Sequence, residues 1–411
     1  MEKNTFTVYG YRWVVLVAFA AVVAVTQILW ITFASITIQA GTFYGVSDLS
    51  IGLLSMSFMI VFIIMSIPAS WAIDTYGIRL GVGIGAALTA VFGLMRGLVA
   101  SSYTWVLIAQ IGIAIGQPFV LNAQTKVVAR WFPVSDRATI VGFTSLALFL
   151  GIIIGMVVTP FLVLRSEIPG MLLTYGIISV IFGVLFFVLV RERPPTPPCP
   201  PEQEARSLVF DGLRQMVTKP DFLVMMAIFF VGLGLFNAVS TWIEDIVKPR
   251  GLDATQAGII GGLMVLGGIV GAVILPSLSD HYHRRVPFVV VALIGGTLGL
   301  AGLTFFGTYG LLIASALFFG FFLLSAAPIG FQYGAEVTLP APEGTSYGML
   351  MLMGQISGIV FIFAMDSFRT PITRAMTPSL IVLIVLMAAC IFLSLRLKEP
   401  PAMAQASGGA R

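Results

Sequence analysis

Long apolar stretches separated by short polar breaks run the whole length of the chain. The first set covers roughly residues 13–38, 51–73, 80–99, 105–129, 140–163 and 171–190, and the second roughly 222–243, 257–277, 286–306, 311–335, 347–365 and 380–395. Each is about 20 residues long, enough to carry a helix across a hydrocarbon core about 30 Å thick. They lack the strict alternation over about 10 residues that marks a membrane β-strand. The pattern therefore predicts an all-α membrane protein with twelve transmembrane helices.

Composition agrees with the pattern: 58% of the 411 residues are hydrophobic and only 10% charged, against roughly 25% charged in soluble domains. The first segment contains small residues of the kind a signal peptidase cuts, but its apolar run exceeds the ordinary 7–15 residues of a signal core, so it is expected to be retained. Basic residues fall mainly on one side of the segments, among them Arg79, Lys126, Arg130, Arg137, Arg191, Arg193, Arg284, Arg285, Arg396 and Lys398. Arg96, Arg165, Lys248, Arg250, Arg369 and Arg374 fall on the other. The richer side is expected to be cytoplasmic, which puts both termini there in a multi-pass protein of the cell membrane. The net charge of +4 follows from this asymmetry and gives no reason to invoke nucleic acid. Cys199 and Cys390 fall in a loop and inside the last segment, so no disulfide framework is expected.

Between the sixth and seventh segments the chain reads RERPPTPPCPPEQEARS, a proline density that stays extended and builds no core. The SLVFDGLRQMV that follows has helical amphipathic spacing suited to a membrane surface. Four regions are expected: an N-terminal six-helix bundle over 1–190, a cytoplasmic linker with a short amphipathic helix over 191–220, a C-terminal six-helix bundle over 221–398 and a cytoplasmic tail over 399–411. The two bundles repeat. DTYGIR after the second segment and DHYHRR after the eighth put Asp74 and Asp280 206 residues apart, each five residues before Arg79 or Arg285. PVSDRAT and PAPEGTS begin 207 residues apart, at Pro133 and Pro340. Two matching offsets argue for duplication of a six-segment unit.

Twelve segments in two halves, with Asp-x-x-Gly-x-Arg between the second and third, resemble the major facilitator superfamily. That resemblance implies a cytoplasmic gate made by Asp74, Gly77 and Arg79, with Asp280 and Arg285 as its counterpart. A solvated turn with cytoplasmic arginines is the plainer reading of the same residues. The resemblance also implies a substrate site near mid-membrane between the halves, where polar and aromatic side chains become candidates.

Gln117 and Pro118 interrupt the fourth segment. Proline removes an N–H and frees the carbonyl four residues earlier, at Ala114, so an amide, a carbonyl and a kink share one depth. Either a ligand or a neighbouring helix is expected to receive Gln117. Trp30 in the first segment and Phe236 in the seventh are 206 residues apart; such rings hold a desolvated cation or simply pack. Asn237 follows, and Glu244 lies two turns further on, either attracting a cation at an outer gate or ending a helix in water beside Asp245. Gln355 is again mid-segment, with small neighbours Gly354, Ser357 and Gly358 that allow close helix approach.

YRWVVL, YGVSDLSIGLLSMSFMIVFIIMSIPASWAIDTYGIR, GQPFVLNAQTKVVARWF and PEGTSYGMLMLMGQISGIVF together resemble the feline leukaemia virus subgroup C receptor-related (FLVCR) transporters across most of both halves. The resemblance implies transport of choline or ethanolamine, with haem export as an alternative, through a pocket of Trp30, Gln117 and Gln355. It departs on the seventh segment, where the choline-binding pattern has an aromatic-tyrosine pair and this chain has Phe236-Asn237. An amide suits an amine or carboxylate better than a quaternary ammonium, so an amino acid competes with choline. Haem iron needs axial donors, and the two histidines, His281 and His283, fall in a loop. No cofactor or metal is expected, and nothing suggests an enzyme; a transport-inactive sensor would use the same pocket. Glu244, Asp245, Glu336 and Asp366 all fall near segment ends, which favours facilitative transport by a monomer over proton coupling through a buried carboxylate.

Overall fold

The computed structural model describes residues 8–133, 136–196, 216, 218–338, 343–370 and 375–400. The amphipathic stretch 207–217, apart from Met216, lies outside the described residues, as do Cys199, Arg374, the tail beyond Pro400 and parts of both the PVSDRAT and PAPEGTS loops. The chain forms two compact units, Met1–Arg206 and Ser207–Arg411.

The first unit contains α1 (Arg12–Ile31), α2 (Thr37–Tyr44), α3 (Asp48–Leu98), α4 (Tyr103–Leu121), α5 (Gln124–Trp131) and α6 (Arg137–Leu189). The second contains α7 (Pro220–Thr241), α8 (Ile243–Val247), α9 (Ala254–His281), α10 (Val286–Phe305), α11 (Tyr309–Thr338), α12 (Glu343–Ser367) and α13 (Thr377–Ser394). Among the described residues ten helices are long and apolar enough to cross a membrane. Two are too long for one crossing: α3 has 51 residues and α6 has 53, which as straight rods would reach about 75–80 Å. Each folds back on itself. Gly77 leaves the helical region at φ 86° and Glu167 at φ 57°. Beyond the first bend a Cβ on Gly81 would lie 2.9 Å from Ile73 Cα, and across the second Thr159 and Tyr175 meet hydroxyl to hydroxyl at 2.9 Å. Ten helices thus give twelve spans.

The spans pack alike in both units because small residues recur at equivalent crossings. The first span meets the fifth where Gly151 faces the Ala24 backbone, and the seventh meets the eleventh where Gly234 faces Ser357. Without a side chain at these points the helices approach closely, the condition under which dispersion holds helices together in lipid. Large apolar side chains such as Ile64, Ile67, Leu98, Val188 and Phe392 face outward, as they must where the solvent is hydrocarbon.

The first segment departs from its expected extent. A helix over residues 13–38 is replaced by α1 ending at Ile31, five residues of turn, and the short α2. The fourth segment likewise breaks at Asn122 and Ala123 before α5. At the second break side chains tie the chain to the neighbouring helices α3 and α6. Asn122 Nδ2 donates to Ser66 O, Ser66 Oγ and Ser70 Oγ at 3.0–3.1 Å, and Gln124 Nε2 donates to Val141 O, Thr144 Oγ1 and Ser145 Oγ. Polar residues in the chain are otherwise too few to signal such breaks by hydropathy.

Candidate functional site

In the first unit Trp30 lies in the last turn of α1, 8% exposed, with its carbonyl 3.5 Å from Ser55 Oγ. Its indole Nε1 is buried without a hydrogen-bond partner among the described residues. Gln117 is 6% exposed on α4, where Gly116 crosses the Gly85 backbone so closely that a Cβ on Gly116 would stand 2.7 Å from Gly85 O. No hydrogen bond engages the Gln117 amide within the described residues, so the interhelical bond that would explain it as packing is not made there.

In the second unit Phe236 is buried and lines a small apolar recess with Phe229, Leu233, Leu293 and Leu323. Asn237 Nδ2 donates to Gly354 O across 3.2 Å, tying α7 to α12 beside Gln355. Gln355 is half-buried, and its amide, like that of Gln117, makes no hydrogen bond among the described residues. Asn237 thus serves the helix contact with one N–H.

Glu244 and Asp245 are not a solvated helix end: they are 1% and 3% exposed. The reason is that α7 stops at Thr241, and α8 turns both carboxylates into the unit. Extrapolating the helical face of Asn237 to Glu244 therefore fails. Asp245 pairs with Arg369 at 2.9 Å, and Arg369 also reaches Asp366 at 2.9 Å. The Arg369 guanidinium sits 4.6 Å from the Trp242 ring centroid, while Trp242 Nε1 donates to Ile362 O at 3.2 Å. Basic residues counted as surface charges are therefore in part interior: Arg369 joins this cluster, and Arg96 is wholly buried.

The candidate gate residues find partners inside their own units. Asp74 pairs with Lys126 at 2.7 Å, and Lys126 also donates to Ile73 O at 2.9 Å. Glu192 accepts the backbone N–H groups of Ile78 at 3.1 Å and Arg79 at 2.7 Å, and pairs with Arg130. These are the orphan donors at a helix start, where a carboxylate also meets the positive end of the helix dipole. Gly77 supplies the positive φ, and a Cβ there would press on the Glu192 carboxylate and push it from these N–H groups.

The second unit repeats the device. Glu399 accepts from the backbone of Arg285 at 2.9 Å and Val286 at 3.0 Å. The Arg285 side chain bonds Asp280 and, at 3.0 Å, Glu336. Burial draws the Arg285 pKa down, and the bonds to Glu336 and Asp280 outweigh it, leaving the group above its ordinary value. Glu192 and Glu399 were not singled out in the sequence. Their signal is the spacing, since each glutamate is 207 residues from the other and stands beside proline or one residue from it, in ERP and KEPP.

Two units of six spans with duplicated crossings and duplicated helix caps are matched in known proteins. Residues 15–362 match the Major Facilitator Superfamily. The chain belongs to the major facilitator superfamily. It is a membrane transporter by that membership and resembles the FLVCR group within it. Solute carrier family 49 member A3 of Xenopus tropicalis is 28% identical over 389 residues, 90% of this chain and 80% of the relative. The choline/ethanolamine transporter FLVCR1 of Felis catus is 28% identical over 382 residues, covering 87% and 68% of the two chains. FLVCR2 of Homo sapiens, also named a choline/ethanolamine transporter, is 26% identical, covering 88% and 72%. Among solved structures, a bacterial homolog of the human lysosomal transporter Spinster superposes with a TM-score of 0.70 at 16% identity, over 98% of both chains. A point mutant of the nucleoside transporter NupG gives 0.73 at 12% identity, over 93% of this chain and 99% of its own. At such identities these two report the fold.

Proposed function

We propose that the protein moves a small amine-bearing organic solute, of the choline or ethanolamine kind, across the cell membrane by alternating access. The observation that carries the reading is that Trp30 Nε1 is buried in a membrane span with no hydrogen-bond partner among the described residues; the amides of Gln117 and Gln355, on α4 and α12, are likewise not engaged by the described residues. Polar groups in that setting are expensive and are retained where a ligand or an aqueous chamber receives them. The indole face of Trp30 and the ring of Phe236 supply surfaces for an ammonium group, and the amides supply donors and acceptors for a hydroxyl. The names of the FLVCR relatives support the same class of solute.

Asn237 favours a second solute, an amino acid, since its Oδ1 is an acceptor for a primary ammonium. Asp74, Gly77, Arg79, Asp280 and Arg285 act at the cytoplasmic gate in this reading, and both termini face the cytoplasm. Transport is facilitative in this reading: Glu244 and Asp245 are buried, against the expectation of exposed segment ends, but Asp245 is held in an ion pair with Arg369. A thermal-shift screen of the purified protein with choline, ethanolamine, amino acids and haem tests the assignment, because a ligand that prefers the folded state raises Tm. Stabilisation by choline or ethanolamine, followed by saturable uptake into liposomes that survives collapse of proton and sodium gradients, is the expected result. Stabilisation by haem alone, or binding without flux, overturns it.

A further inference from the structure

Arg96 is the one long cationic side chain in the first unit's described spans that is wholly buried, at 0% exposure. No carboxylate stands within ion-pair distance of it among the described residues. Its partners are neutral: Nη1 donates to Gln110 Oε1 at 2.6 Å and to Leu29 O at 3.1 Å, and Nη2 lies 3.4 Å from Thr32 Oγ1. The guanidinium carbon is 5.7 Å from the Phe33 ring centroid. Gln110 Nε2 reinforces the contact, donating to Leu29 O at 3.2 Å and Leu54 O at 3.3 Å. Thr32 Oγ1 in turn donates to Ile28 O at 2.7 Å.

Most of these bonds converge on one place, the final turn of α1. A helix that stops at Ile31 leaves its last carbonyls without intrahelical partners and concentrates partial negative charge there. Arg96 supplies both the missing donors and a positive charge, and Gln110 holds the same Leu29 carbonyl from a second helix. Leu29 is the residue before Trp30. Two other spans, through Arg96 and Gln110, are thereby fastened to the peptide unit that precedes the indole.

We propose that Arg96 is a positioning residue for the transport site, acting through Gln110 and the capped end of α1 to fix where the Trp30 ring points. The inference rests on the reading of Trp30 as a substrate-binding residue, yet the position of the ring can be measured without substrate. The decisive experiment uses the full chain in lipid nanodiscs with 5-fluorotryptophan at its six tryptophans, each fluorine resonance assigned by Trp→Phe replacement. In ligand-free protein, Arg96→Gln and Gln110→Leu are expected to move the Trp30 resonance and leave those of Trp105 and Trp242 in place. Arg96→Lys, which keeps the charge but loses the forked geometry, should recover part of the shift.

Titration with labelled choline then gives the consequence: KM for Arg96→Gln rises about tenfold while the maximal rate changes by less than about twofold, as befits a cation–ring contact set at the wrong angle. A Trp30 resonance unmoved in both Arg96→Gln and Gln110→Leu overturns the proposal. So does a displacement of all six resonances, which would mark Arg96 as general scaffolding, or an Arg96→Lys spectrum no closer to the parent than that of Arg96→Gln. Gln110→Leu keeps the test open if Arg96→Gln does not fold. Choline binding undiminished by Trp30→Ala would instead sink the assignment of the substrate site, with the ligand-free spectra still deciding what Arg96 does.

Discussion

The first helix of each unit breaks at an equivalent point, and the two breaks are held by opposite chemistry. In the first unit α1 ends at Ile31, and a buried arginine with neutral partners caps it. In the second, α7 ends at Thr241, and the short α8 that follows brings buried Asp245 to Arg369, which also reaches Asp366 and lies over the Trp242 ring. Both breaks lie close in sequence to candidate site residues, Trp30 in the first unit and Phe236 and Asn237 in the second. A duplicated backbone thus kept its bend while the residues that stabilise it diverged. A bend needs its loose carbonyls and side chains satisfied, and either a lone donor-rich cation or an ion cluster does that.

Removing each cation in turn separates the two kinds of support. Arg369→Met should have the larger effect, because it leaves the buried Asp245 without that counter-charge, at a cost of about 3–5 kcal/mol. Loss of folded protein, or a fall in Tm that Asp245→Leu in the same chain partly repairs, is the expected outcome in detergent unfolding. Arg96→Met should cost less, about 1–3 kcal/mol, since it strips neutral groups of donors but strands no opposite charge. Equal losses in the two variants would mean that the breaks are not held in the different ways described. Trp30→Ala should lower affinity for a quaternary ammonium by about 2 kcal/mol, near thirtyfold, and affect a neutral analogue less. Gln117→Ala and Gln355→Ala should each weaken binding about tenfold, measured by thermal shift with choline, while the ligand-free Tm stays within a degree or two.

The helix caps at the third and ninth spans offer a contrasting case, since there the two units kept the same solution. Glu192 and Glu399 each accept two backbone N–H groups at the start of a span. Their surroundings differ: Arg130 meets Glu192 directly, whereas Arg285 turns its side chain to Asp280 and Glu336. Glu336 is nearly buried and Asp280 is exposed, so Glu336 carries more of the attraction in the second unit. The Asp-to-Arg spacing drew attention to Asp280. Only the fold shows that a residue on another helix is the stronger partner.

Much of the architecture was legible from the order of residues. Hydropathy gave twelve spans, and the offsets of Asp74 to Asp280 and Pro133 to Pro340 gave the duplication. Trp30, Gln117 and Gln355 were visible because polar or amphipathic groups stand out in apolar runs. Arg96 was seen only as a charge near a membrane edge, and Glu244 and Asp245 only as a helix end or outer gate. The positive-inside rule counts a basic residue without asking what it faces. Periodicity likewise assumes that a helix continues, and here α1, α4 and α7 all stop short.

The one-dimensional pattern determined what must cross the bilayer, because twenty consecutive apolar residues have no cheaper environment and their backbone must bond to itself. It also determined the repeat, since spacing survives divergence. Tertiary structure decided where the crossings bend and which charges enter the interior. Those outcomes depend on donors supplied from distant parts of the chain: Arg96 and Gln110 to the end of α1, and Arg369, just beyond α12, to Asp245. A buried charge is stable only against its neighbours, and neighbours exist only once the chain has folded.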